Sequence, residues 1–143
     1  MSEEKKVEKL HSYLVDSRDG YEAAAERLDN PAQKTILERL KGERAEFAAA
    51  IRTAFSRKDV DLEADGSILA SMHRAYLGVK DAVTGGDEQL FAEILRGELK
   101  LREVYDEVLA EVKDHRDWSF LKEQRETIDR EIAQIQTEKR LAA

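Results

Sequence analysis

The sequence predicts an all-α protein: four long helices with one shorter helix between the second and third. Charged residues make up 38% and apolar residues 41% of the 143, with one proline and no cysteine, a mixture typical of long solvated helices. Apolar residues recur at three- and four-residue steps along most of the chain, the period of a helix with one buried face. The interruptions, Asn30-Pro31 and Thr84-Gly85-Gly86-Asp87, are helix stop-and-restart signals.

The first helix is expected over about residues 3–28. Ser2 can cap it, and Glu3 and Glu4 suit the positive end of its dipole. Its stripe is Val7, Leu10, Leu14, Tyr21, Ala24, Ala25 and Leu28. The seven-residue step from Leu14 to Tyr21 places Ser17 or Arg18 on the seam. Gly20 costs about 1 kcal/mol against alanine inside a helix, and a close helix–helix contact is the usual reason for one.

Asn30 as N-cap and Pro31 as first helical residue start the second helix, about 31–57. The short turn forces it to run back antiparallel. Its stripe, Ile36, Leu37, Leu40, Phe47, Ala50, Ile51, Ala54 and Phe55, leaves Glu43 or Arg44 on the seam. After a loop at 58–66, Ser67 can cap a shorter helix, about 67–83, bearing Met72, Tyr76 and Leu77. Asp87 can cap the next helix, about 87–113, and Asp117 the last, about 117–140. That last helix turns Phe120, Leu121, Gln124, Ile128, Ile132 and Ile135 inward.

The helix over 87–113 contains the most informative position. Leu90, Phe91, Ile94, Leu95, Leu101, Tyr105, Val108 and Leu109 follow the helical period, yet Glu98 stands seven residues after Phe91 and seven before Tyr105. A carboxylate therefore occupies a core position near mid-helix. If the short helix carries the chain back along the bundle, the long helices flanking it run parallel. That is the connectivity of ferritin-like four-helix bundles.

Several residues now line up with a known family. Gly20-Tyr21, Glu43-Arg44 followed by Phe47, Gly66-Ser67, His73-Arg74, Lys80, Thr84-Gly85-Gly86-Asp87, Arg96-Gly97-Glu98 and Tyr105 resemble a bacterial family of ferritin-like four-helix-bundle proteins catalogued as a domain of unknown function. The resemblance spans about Leu14 to Ile135. It implies a fold and a bacterial cytoplasmic setting, and it supplies no activity.

Several function classes are excluded by composition. A net charge of −7 argues against a nucleic-acid surface, which needs clustered cations. The absence of cysteine removes disulfides, thiolate catalysis and thiolate metal sites. No apolar run suits a signal peptide or a membrane span, so the cytoplasm is the expected compartment. No phosphate-binding glycine loop is present. Ser67, Ser71 and Ser119 have no recognisable base partners. The ending Leu141-Ala142-Ala143 is similar to bacterial degradation tags, but as a frayed helix end it needs no function.

The metal question is sharper. Di-iron bundles use Glu-x-x-His pairs on two helices. The sequence has one half-match, Glu8-Lys9-Leu10-His11, about 15 Å from mid-helix, which reads as a solvated helix-end pair. His73 and His115 have no glutamate three residues before them. A carboxylate-only site for iron or manganese is the alternative, drawing on Asp19, Glu22, Glu43, Glu46 and Glu98. The competing expectation is a structural network in which Arg18, Arg44 and Arg102 neutralise the acids, with Tyr21, Tyr105 and Gln124 joining it. Such a network fixes helix register without adding much stability. The resulting reading is one domain over 1–143. It acts as a non-catalytic interaction or structural module with no cofactor, engaging a protein partner or a second copy through the short helix. The alternative is a ferritin-like metal-binding protein.

Overall fold

The computed structural model describes residues 3–63, 86–113 and 115–143. Four long helices pack into a bundle: α1 (Glu3–Ala25), α2 (Pro31–Ser56), α3 (Asp87–Val112) and α4 (Leu121–Ala142). The short helix expected at 67–83, with His73, lies outside the described residues.

The boundaries follow local chemistry. Asn30 Oδ1 accepts from the amides of Ala32 and Gln33 at 2.9 and 3.1 Å, and Pro31 begins α2. This satisfies orphan donors of the first turn. Helix α1 ends at Ala25, three residues before the expected limit. The chain then tightens into a turn in which the Arg27 amide donates to the Ala24 carbonyl, and Leu28 remains buried. Asp87 is the first helical residue of α3 rather than its cap. The cap position is Gly86, at φ +90°, where side-chain-bearing residues are strained. Asp117 does not cap α4. The Nδ1 atom of His115 accepts from the Asp117 amide at 3.2 Å, closing a 3₁₀ turn over Arg116–Trp118 before α4 begins at Leu121. That turn drives Trp118 into the core.

Ion pairs give the helix directions. Lys6 with Glu111 and Lys9 with Glu107 join the start of α1 to the end of α3. Lys41 with Glu22 sets α1 against α2, and Arg102 with Asp129 and Arg125 with Asp106 set α3 against α4. Each pair is antiparallel, so α2 and α3 run parallel. The main backbone packing is α1 on α2, α3 on α4 and α1 on α3.

The core falls into two apolar clusters. One, around Val7, Leu10, Phe55, Trp118 and Leu121, fills one end. The other, around Leu28, Leu37, Leu40, Phe91 and Ile135, fills the opposite end. A polar layer lies between them. Among the described residues, no helix is long and apolar enough to cross a membrane.

Candidate functional site: a buried arginine among three carboxylates

The polar layer is centred on Arg44, whose side chain is entirely buried. Its position on the α2 seam follows from the apolar gap between Leu40 and Phe47. One guanidinium nitrogen donates to Glu43 Oε1 at 2.7 Å. The other donates to Glu98 Oε2 on α3 at 2.8 Å and to Glu131 Oε1 on α4 at 3.0 Å. Glu98 is 2% exposed, and its second oxygen accepts from the Ser17 hydroxyl of α1 at 3.2 Å. All four helices thus meet at one cation. The aromatic rings of Tyr21 and Phe47 flank the guanidinium at 5.7 and 5.8 Å, where their faces attract it.

The electrostatics follow from counting charge. Burial disfavours the arginine cation. Glu98, then Tyr21 and Glu131, outweigh burial and hold Arg44 well above its ordinary value. The layer has more acids than cations, however, even with Arg39 reaching Glu131 at 3.4 Å from the rim. Glu131 absorbs the imbalance. Burial first, then the neighbouring Glu43, push its carboxyl up to about 7, against the pull of Arg44. Glu131 is therefore the acid of the layer that takes up a proton most readily.

The tyrosines stay protonated. Burial raises Tyr21 and Tyr105 well above the usual phenol range, with Glu98 adding to the effect at both and Arg44 opposing it. Tyr105 donates to Gln124 Oε1 at 2.7 Å, and the Gln124 amide reaches the Phe47 carbonyl at 3.4 Å. The Tyr21 hydroxyl is wholly buried beside Glu98, which raises it both through its charge and as a hydrogen-bond partner.

The sequence-derived acids divide. Glu43 and Glu98 come together at Arg44. Asp19 is half-buried at the surface and pairs with Arg18 at 2.9 Å. Glu22 is exposed and pairs with Lys41, and Glu46 is exposed on α2. Arg102 is also away from the layer, paired with Asp129 at 2.6 Å on the surface. Among the described residues, no group of His, Asp and Glu is arranged to hold a metal ion.

His11 requires a correction. It is 2% exposed rather than solvated, and its Nε2 lies 3.1 Å from an Arg52 guanidinium nitrogen. Burial first, then the charges of Arg52 and Arg18, lower it to about 4, so the ring is neutral and accepts from Arg52. The side chains that sequence reasoning did not assign to the layer are Ser17 and Glu131. Glu131 stands seven residues after Gln124, at the same heptad position, and that spacing was the available signal.

Fold and layer together define a helical-bundle protein whose apolar core is divided by an ionic cross-link. The chain belongs to the family described as domain of unknown function DUF2383, whose profile matches residues 2–111. Neither a curated protein nor a solved structure matches the chain. The match covers α1, α2 and nearly all of α3, and therefore Arg44 and Glu98. Helix α4, which supplies Glu131, lies beyond it.

Proposed function

We propose that this is a non-catalytic interaction or structural module of a bacterial cytoplasm, with the Arg44 layer serving to fix helix register. The supporting observation is that one guanidinium receives Glu43, Glu98 and Glu131 from three helices. Arginine keeps its proton throughout the accessible pH range and has no redox chemistry. A buried charge so enclosed punishes any slip of one helix past another, because every slip leaves a carboxylate or the cation unpaired. The parallel run of α2 and α3 supports kinship with ferritin-like bundles in connectivity. On this reading the module works through a protein partner or a second copy of itself.

One observation favours a second reading. Three carboxylates from three helices converge on one guanidinium, and such an excess of acid is what a cation site needs. A ferritin-like iron or manganese site would require Arg44 to withdraw and Glu131 to lose its proton.

Elemental analysis of protein expressed with iron and manganese supplied separates the two. The structural reading expects no stoichiometric metal, either in the natural sequence or in a Glu43→Ala/Glu98→Ala variant. Near-stoichiometric metal in the natural sequence that disappears from the variant would establish the second reading. Light scattering then tests for a second copy.

A further inference from the structure

A cavity of about 630 Å³ opens between α1 and the middle of α3, within the size range of small-molecule sites. Its lining includes Asp16, Ser17, Tyr21, Gly97 and Glu98. Tyr13 and Leu101 add apolar wall. We propose that this cavity binds a small organic cation, a primary ammonium group carried on an apolar body, with Asp16 as its counter-ion.

The charges around the cavity point to a cation. Four carboxylates line it, and three are already answered. Arg96 holds Glu93 through two nitrogens at 3.0 and 2.8 Å, Lys100 lies 3.4 Å from Glu103, and Glu98 is bound to Arg44. Asp16 is the remaining one. Among the described residues it makes no hydrogen bond or ion pair, although Arg96 exerts a weak opposing pull on it from α3. Burial first, then Asp19 on the same helix, push its carboxyl up to about 7. An ammonium beside it would remove the cost of ionising it.

The available space agrees with this. Tyr21 contributes its ring to the wall, while its hydroxyl is buried away from the cavity beside Glu98. Gly97 marks the opening. It lies inside α3, where glycine costs about 1 kcal/mol against alanine. A Cβ built there meets nothing within 4 Å among the described residues, so none of them packs closely against the glycine.

The test is an amide-shift titration of the full chain with phenethylamine above about pH 7, where Asp16 is ionised. The proposal expects saturable shifts centred on Ser17, Gly20, Gly97 and Leu101. Binding of the neutral isostere 2-phenylethanol should be at least about tenfold weaker. Asp16→Asn should weaken the amine by at least about tenfold and leave the alcohol unchanged. Gly97→Phe should abolish both while circular dichroism shows the helices intact. Equal affinity for amine and alcohol, indifference to Asp16→Asn, shifts centred elsewhere, or no saturation by roughly 10 mM would each overturn it.

Discussion

The two apolar ends of the bundle and the polar layer between them solve burial in different ways. At the Trp118 end, Phe55 lies 5.2 Å from the indole and Trp118 is wholly enclosed, with its one polar atom, Nε1–H, donating to Glu3 at 2.8 Å. Such packing is non-directional and contributes about 1.5–3 kcal/mol for each large side chain buried. In the middle, Arg44 and its acids gain little net energy over an apolar filling, but their ion pairs form in one register only. The ends hold the helices together, and the middle determines how they are aligned.

The sharpest way to break this contrast is to damage each region once. Arg44→Ala should cost about 3–5 kcal/mol, because it strips the buried Glu98 of its cation and leaves Glu43 and Glu131 only Arg39 at the rim. Trp118→Ala should cost a similar 3–5 kcal/mol through lost packing. Urea unfolding measures both. The signature differs: losing the charge partner should make the variant recover stability at low pH, where the stranded acids are protonated, whereas the Trp118 cavity should be indifferent to pH. Glu98→Leu should cost much less than Arg44→Ala, since Arg44 keeps Glu43 and Glu131 and the new side chain extends the apolar seam.

The pH profile of the natural sequence sharpens the comparison further. Glu131 and Asp16 have folded-state values raised to about 7. The folded state therefore binds protons that the unfolded chain has released, and their contribution is full at low pH and lost as pH rises through about 7. His11, lowered to about 4, acts in the opposite sense. The unfolded chain takes up its proton first, so stability falls as pH drops from about 6.5 towards 4. Both effects fall in the window between about 4 and 7 and oppose each other, and two carboxyls outweigh one imidazole, so stability falls as pH rises across it. Glu131→Gln should make that fall shallower and His11→Asn should make it steeper, with the midpoint of chemical unfolding measured across pH. The smallest effect belongs to the surface. Arg102→Ala removes an exposed pair with Asp129 and should change stability by less than about 1 kcal/mol.

The four long helices were legible in the sequence because their signals are local: an apolar period, Asn30-Pro31, and the glycines before Asp87. Glu98 could be singled out as a core carboxylate because it breaks a regular stripe. Its partner could be narrowed to Glu43 or Arg44 by the same argument. What the stripe does not reveal is which neighbouring helix stands opposite at that level, and so Arg102 was expected inward while Glu131 was not. The Trp118 turn was hidden for another reason. Its geometry depends on a single side-chain contact from His115 to the Asp117 amide, and Asp117 alone reads as an ordinary cap. His11 was misread because nearness to a helix end was taken for exposure, whereas the neighbouring α2 extends far enough for Arg52 to cover it. The α1–α3 cavity has no periodic signature at all. It follows from two glycines, Gly20 and Gly97, that face it from different helices.

The most direct measurement is a double-mutant cycle on Arg44 and Glu98, using both alanine variants and their combination in urea unfolding. Each single change leaves a buried charge short of a partner, while the double change removes both members of the 2.8 Å contact. The combined loss should therefore be smaller than the sum of the single losses, by about 1.5–3 kcal/mol. Losses that add, with no coupling between the two positions, would contradict the claim that this pair forms the centre of the bundle's register-setting layer.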